Sequence, residues 1–475
     1  MSGGRMLSRS KQGRIRESFA DAKTIPVWLD DPSAPEPREP LKSHRTFDLA
    51  VVGGGFHGLW TAIVAKERRP DLRVCVLEAE VCGGAASGRN GGFAASTLTH
   101  GAGVALDRYP SEAEKLERLG LENLRGLKAD TERWGIDCHL EESGELEVAT
   151  REHEIANLLE GADLERRLGR EAVYFDSEAI ASEIRSPTYL AGLWRKDSTY
   201  MLNPARLAWG LARTAEAMGV EIFDYTKVTS LQSDGPDMVL GSRYGSVRAQ
   251  RVALCTNAFP PLVKRLAAYV VPVYDYALAT EPLTPEQMKE VGWASRQGVG
   301  DSSNLFHYYR LTAENRILWG GYDAIYHFGG KMGPELEQRQ ATFNLLAGHF
   351  YATFPQLRDV GFDYSWGGAI DTCSRFFPFF GSTNRGAVTY ATGFTGLGVA
   401  STRFAARVMN EMMFGDKTEI SSLELVRSRP VPFPPEPIRY LGIQATRASL
   451  AGADRRGRRN GWLRLLDRIG LGFDS

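Results

Sequence analysis

Apolar and polar positions along the chain fall into two textures. Phe47–Val52, Arg73–Glu78, Arg251–Thr256 and Gly386–Thr392 are short, nearly continuous apolar runs. That is the pattern of strands buried on both faces of a parallel sheet. Elsewhere the spacing is helical. Leu116, Leu119, Leu124 and Leu127 predict a helix over 110–134, and 152–169 and 334–354 read likewise. Asn203-Pro204 opens another helix, to about Met218, with Pro at the first helical position. Residues 137–149 alternate as a strand, and 220–256 read as short strands with turns at Gly235-Pro236 and Gly245. Residues 268–325 are strand-rich and aromatic, with Tyr269, Tyr274, Tyr276, Phe306, Tyr308, Tyr309, Trp319 and Tyr322. Five prolines between Pro26 and Pro40 predict an irregular arm over 1–45, anchored by Trp28 and Leu29.

The first apolar run leads into Gly53-Gly54-Gly55-Phe56-His57-Gly58, a GxGxxG turn, and then into a helix from Leu59. The first glycine makes the strand-to-helix turn, the second admits a pyrophosphate, and the third lets helix pack on strand. The helix start supplies N–H groups and partial positive charge. A second strand follows and ends in Glu78, where an acid would accept from ribose hydroxyls. Strand, turn, helix, strand and acid in that order predict a dinucleotide site. An acid at 78 favours an unphosphorylated ribose, hence FAD or NAD over NADP.

Composition narrows the reading. The chain has 475 residues, 43% hydrophobic and 24% charged, with a formal net charge of −1. This is an ordinary globular balance for two or three lobes, without the basic excess of a nucleic-acid binder. The five cysteines Cys75, Cys82, Cys138, Cys255 and Cys373 are scattered, with no CxxC spacing, so neither zinc nor a dithiol is expected. Buried thiols in a reducing cytoplasm are the expectation. Arg5, Arg9, Lys11, Arg14 and Arg16 precede no apolar stretch, so no secretory signal is read, and no run is long enough for a membrane helix.

Two further segments bear on FAD against NAD. Val81 to Gly92 is a long glycine-rich loop with Ser87 and Arg89, able to wrap a pyrophosphate and lie along a flat ring. Gly393-Phe394-Thr395-Gly396-Leu397-Gly398 starts a helix running to about Phe414. Such a start favours a ligand that gains negative charge on reduction, as a flavin does.

Several segments in order now carry a resemblance. They are Val51–Leu59, Ala86–Gly92, Thr256-Asn257-Ala258, Tyr308-Tyr309-Arg310, Arg316–Gly321, Trp366-Gly367-Gly368 with Thr372, and Gly393–Val399. The set resembles the D-amino-acid oxidase superfamily of flavoproteins, and most of all its gamma-glutamylputrescine oxidase-like branch. The resemblance implies an α/β fold, α+β overall: an interrupted Rossmann-like FAD-binding domain with a strand-rich, mixed-sheet substrate domain. It divides the chain into an arm (1–45), FAD-binding parts (46–136, 201–266, 361–416), substrate parts (137–200, 267–360) and a Pro-rich, basic extension (417–475). It implies FAD contacts from Gly53, Gly55, Phe56, His57, Gly58, Glu78, Ala79, Ser87, Arg89, Asn90, Gly91 and Gly92. Val228, Thr256, Asn257, Gly367, Gly393, Thr395, Gly396, Leu397 and Gly398 complete that set. Cys373 follows Thr372 instead of preceding it, which departs from covalent attachment, so non-covalent FAD is expected. Leu397 stands where the branch often has His, and Trp319 aligns where sarcosine oxidases place a Lys.

The implied reaction is oxidation of a C–N bond by hydride transfer to flavin N5, hydrolysis of the imine, and reoxidation by O2. A dehydrogenase passing electrons to a carrier is the alternative, and a nucleotide-binding RNA-modifying protein the reading from another class. The implied partner is a small-molecule amine, with the oligomeric state open. The candidate catalytic residues are His100, Tyr276, Tyr308, Arg310 and Trp319: aromatic walls suit alkylammonium groups and Arg310 a carboxylate. His307, Tyr274 and Tyr322 belong to the same candidate wall. Asp323 and Asp371 read as solvated carboxylates, with pairing to a second amine as the sharper reading. The basic stretch 455–468 reads as a docked helix with a solvated basic face.

Overall fold

The computed structural model describes residues 9–468 and Leu471. Two sheets organise it. In the first, Val388–Thr392, Ser246–Leu254, His44–Val52, Val74–Leu77 and Glu221–Phe223 lie side by side in parallel, with Phe379–Thr383 antiparallel at one edge. A hairpin of Ser230–Asp234 and Asp237–Gly241 adds to Ser246–Leu254. Both faces are covered, which explains the unbroken apolar runs. Leu49, Val51 and Val76 pack under the helices Phe56–Arg68, Pro204–Ala217 and Gly398–Phe414, while Ala50, Val52, Cys75 and Leu77 join the opposite cluster. Each fully buried Leu or Val contributes about 1.5–3 kcal/mol.

The second sheet is mixed and nine-stranded. At its centre, Val270–Thr280 is flanked by Phe362–Cys373 and by Ile317–Gly321, which pairs with His307–Leu311. Its far face packs on the helix Gln340–Thr353. Its near face looks toward the glycine-rich loop: Tyr308 Cε2 would lie 2.7 Å from a Cβ at Gly91.

Three regions add detail to the expected division. Phe362–Cys373 was expected within the third FAD-binding part, yet it runs antiparallel along Val270–Thr280 in the other sheet. The arm is not wholly irregular. Arg9–Glu17 is helical, and Ile15 and Phe19 pack on Gln340–Thr353, with Phe19 edge-on to Phe343. The remaining arm residues, Met1 to Ser8, and with them Arg5, lie outside the described residues. The extension holds a 19-residue helix, Ile438–Arg456, then Gly461–Arg468. Leu450, Ala453 and Leu463 cluster with Leu305, and the Asp454 carboxylate accepts from the Asn304 amide at 2.8 Å. Among the described residues no helix is long and apolar enough to cross a membrane, and no group of His, Cys, Asp and Glu could hold a metal ion.

Candidate active site

Strand pairing puts Val52 beside Leu254 and Leu77, so the Gly53 turn, Cys255–Asn257 and Glu78 share the carboxyl edge of the parallel sheet. Gly53 has φ +110, and a Cβ there would strike the Cys255 carbonyl oxygen. A Cβ on Gly58 would strike the carbonyl oxygen of Gly53, one on Gly55 would sit 2.7 Å from Ser87 Oγ, and one on Gly54 2.5 Å from Cys82 Sγ. The turn can pack this tightly because these side chains are missing. Glu78 Oε2 accepts from the Gly54 amide at 2.6 Å and Oε1 from the Glu80 amide at 3.0 Å. Burial raises the Glu78 carboxyl above its ordinary range. Ala79 follows, exposed, and Val228 lies half-buried against the strand core. Thr256 and Asn257 leave the strand Ser246–Leu254, with Asn257 at φ +49.

The helices Phe56–Arg68 and Gly398–Phe414 both start without a side-chain cap, whereas Pro204–Ala217 has one from Asn203 and Pro285–Val291 one from Thr284. Ser87 Oγ accepts from the Phe56 amide at 2.9 Å, which ties the glycine-rich loop to the first helix. The second helix start is set by Asp371. Its carboxylate accepts from the Gly393 amide at 2.6 Å and the Phe394 amide at 3.2 Å, and Thr395 Oγ1 accepts from the Cys373 amide. Asp371 is buried, not solvated as expected, and burial pushes its carboxyl up to about 6. Gly396, Leu397 and Gly398 complete that turn with side chains absent or half-buried.

The glycine-rich loop is fixed from three sides. Asn90 donates to the Ala86 and Ser87 carbonyls and accepts from the Gly92 amide, while Trp28 Nε1 donates to the Asn90 carbonyl. Arg89 donates to the Gly84 carbonyl, pairs with Glu337, and reaches the Gly367 carbonyl at 3.5 Å. A dinucleotide with a flat ring fits these residues. Two helix starts meet, with His57 edge-on to Phe394, the glycine turn admits no Cβ, and a carboxylate ends the second strand.

The five catalytic candidates separate by strand parity, because successive side chains point to opposite faces. Tyr308, Arg310, Ala277, Gly320 and Gly368 belong to the near face. Tyr274, Tyr276, Tyr309 and Trp319 belong to the far face and its core. Trp319 and Tyr276 are each 1% exposed, so neither is a wall of the site. Trp319 packs on Tyr309, His307 and Phe350, and the Tyr276 hydroxyl donates to the Leu336 carbonyl. Tyr274 and His307 share that face, and Tyr322 stacks on His307. Arg310 faces the loop but is spent on the Gly92, Leu202 and Leu311 carbonyls, so it is not a free carboxylate clamp.

The other two candidates, His100 and Tyr308, lie beside the Gly393 turn and the glycine-rich loop respectively. His100 Nε2 lies 3.1 Å from the Thr395 carbonyl oxygen, and burial lowers its imidazole to about 4. His57, buried with Nε2 unpartnered, meets Phe394 edge-on and is held down to about 3. Tyr308 lies against Gly91 and edge-on to Phe93. Its hydroxyl donates to Asp275 Oδ2 at 2.7 Å. Sequence reasoning missed Asp275. The signal was present: a lone acid between two tyrosines, inside the otherwise uncharged strand Val270–Thr280. Asp323, expected in solvent, is 3% exposed and held by Arg339, Arg447 and Thr342.

Comparisons with known proteins agree with this geometry. Residues 48–412 match the family described as DAO, FAD dependent oxidoreductase. Gamma-glutamylputrescine oxidoreductase of Escherichia coli is 31% identical over 83% of this chain and 90% of its own length. A probable oxidoreductase, OrdL, of Haemophilus influenzae is 27% identical over 88% of this chain and 93% of its own. The crystal structure of glycine oxidase from Geobacillus kaustophilus superposes with a TM-score of 0.69 at 21% identity, over 82% of this chain and 100% of that one. The chain therefore belongs to the DAO family of FAD-dependent oxidoreductases.

Proposed function

We propose that this enzyme oxidises a C–N bond of a small amine or amino acid, with non-covalently held FAD. When bound, FAD supplies the electron sink, taking a hydride from the carbon that bears nitrogen. Gly53, Gly55 and Gly58 leave room for the pyrophosphate, with Phe56 and His57 opening the helix beside it. Glu78 would hold the ribose, with Ala79, Val228, Thr256 and Asn257 around the adenosine end. Ser87 to Gly92, Gly367, and the turn Gly393 to Gly398 would hold the ring. The protein's remaining work is to orient the amine and exclude water. The observation that carries this reading is that the two helix starts meet, His57 edge-on to Phe394, with the glycine-rich loop tied to the first through Ser87 and lying against Tyr308 of the mixed sheet. Two relatives support the substrate class by name, gamma-glutamylputrescine oxidoreductase and glycine oxidase from Geobacillus kaustophilus. The five buried, unbonded cysteines suit a reducing compartment such as the cytoplasm.

The test is anaerobic bleaching. The purified protein is expected to carry flavin absorbing near ~450 nm, released by acid or denaturant because no covalent bond holds it. Polyamines, glutamylated amines, N-methyl amines and amino acids are then added without oxygen. Bleaching by one class, followed by recovery in air with peroxide, establishes the oxidase. Bleaching without recovery in air assigns the electrons to a carrier. Protein that retains no flavin after reconstitution overturns the proposal.

A further inference from the structure

On the near face of the second sheet one charge stands without a counter-charge. Asp275 Oδ2 accepts from the Tyr308 hydroxyl at 2.7 Å and Oδ1 from the Tyr276 amide at 2.8 Å. The Gly321 backbone amide also favours its charged form, and none of these donors is a cation. None of the ion pairs among the described residues includes Asp275, and burial raises its carboxyl to about 6. A carboxylate taken from water without a cation is costly, so buried charges are normally paired. Asp275 is not sealed away, however. It and Tyr308 keep partial solvent exposure in mid-sheet, as do Gly368 and Arg89 opposite them. The remaining acceptor capacity of the carboxylate therefore faces the side of the sheet on which Arg89 and the glycine-rich loop lie.

The arginines nearest to this region and to Asp323 are already committed. Arg89 pairs with Glu337 and the Gly84 carbonyl. Arg310 is held by three backbone carbonyls. Arg339 and Arg447 both hold Asp323. A substrate carboxylate would have to displace one of these bonds, whereas a substrate ammonium meets a ready partner. We propose that Asp275, oriented by Tyr308, is the counter-ion for a cationic nitrogen of the substrate, and that the site selects alkylamines over α-amino acids held by their carboxylate. This deepens the amine-oxidation reading and rests on it.

The test is calorimetric binding of n-butylammonium, n-butanol and butyrate to the flavin-loaded protein near neutral pH. The unsubstituted protein is expected to prefer butylammonium to butanol by at least about tenfold, one charge-assisted contact. Asp275→Asn should abolish that preference while the ratio of flavin to protein stays unchanged. Tyr308→Phe should weaken butylammonium about threefold, the loss of an orienting bond, not of the charge. Asp275→Glu keeps the charge and should keep part of the preference, which covers the case in which the Asn variant fails to fold. No preference in the unsubstituted protein, an equal preference in folded Asp275→Asn, or tighter binding of butyrate overturns the proposal. Because binding is read without turnover, failure of the oxidation reading shows separately, as flavin that no amine or amino acid bleaches.

Discussion

The two faces of the strand Val270–Thr280 are built from the same residue types and do opposite work. On the far face Tyr274 and Tyr276 join Tyr309 and Trp319 in a cluster closed by the helix Gln340–Thr353. Rings there meet rings: Trp319 lies 4.3 Å from Tyr309 and 5.7 Å from Phe350, centroid to centroid. On the near face the same strand shows Asp275, and His307–Leu311, one strand beyond Ile317–Gly321, shows Tyr308 against a loop of glycines. One face is filled by rings throughout; the other is packed by Trp28, Trp209 and Trp366 around Ala277 and Ala279 and stays half-buried around Asp275, Tyr308 and Gly368. Aromatic content therefore says little about where a substrate binds; strand parity, together with the glycines opposite, says much more.

The largest break in that contrast comes from the filled face. Trp319→Ala removes a ring at the centre of the far-face core and should destabilise the fold by about 3–5 kcal/mol. The indole Nε1 has no hydrogen-bond partner, so Trp319→Phe loses volume but no bond and should cost less than half as much. Denaturant unfolding of flavin-loaded protein measures both. Residual folded Trp319→Ala should bind butylammonium as the unsubstituted protein does. A weakened amine affinity at unchanged stability would move Trp319 onto the wall of the site.

The same contrast shows what was legible in the sequence. The nucleotide half was readable because its signals are local: Gly53 to Gly58 and Glu78 sit within one strand-helix-strand unit, and each glycine answers to a clash its neighbours would make. The substrate half depends on pairing at long range. Nothing local tells Tyr308 from Tyr309, adjacent residues pointing to opposite faces, until the register with Gly320 and Trp319 is known. Phe362–Cys373 is hard to place from sequence for a related reason: its whole length pairs with Val270–Thr280, while Asp371 and Cys373 near its end also brace the Gly393 turn. Arg310 looked free because carbonyl acceptors carry no signature in sequence.

A second carboxylate on the same pair of strands sharpens the comparison. Asp371 sits opposite Pro272 and is 1% exposed, enclosed by the Gly393 and Phe394 amides and the Thr392 hydroxyl. Burial moves its carboxyl from 3.8 to about 6, despite those bonds. The folded protein thus holds this proton at a higher pH than the unfolded chain. The resulting stabilisation is full below the ordinary carboxylate range and is lost as pH rises through about 6. The whole change is roughly 3 kcal/mol, at about 1.4 kcal/mol per pKa unit. Unfolding free energies of the protein and of Asp371→Asn, taken from pH 4 to 7, should differ by an amount that shifts across that window. A difference that stays flat would mean the carboxyl titrates in its ordinary range and that Gly393 is held without strain on its charge.

The smallest effect separates two adjacent tyrosine roles. Tyr276 donates its hydroxyl to the Leu336 carbonyl at 2.7 Å on the filled face, and Tyr308 donates to Asp275 on the open one. Tyr276→Phe removes one neutral hydrogen bond while the ring keeps its place beside Tyr274 and Phe343, so it should cost about 1 kcal/mol of stability. Leu336 is half-buried, and water can replace the lost donor, which keeps the cost at that level. Amine affinity should be unchanged, because the Tyr276 group that touches Asp275 is its backbone amide, which the substitution keeps. Tyr308→Phe should show the reverse pattern, with affinity lowered and stability nearly kept. Paired thermal unfolding and calorimetry on the two variants read both quantities. If Tyr276→Phe shifted amine affinity as far as Tyr308→Phe does, the two faces would not be separate compartments, and the assignment of Asp275 to the open one would fail with them.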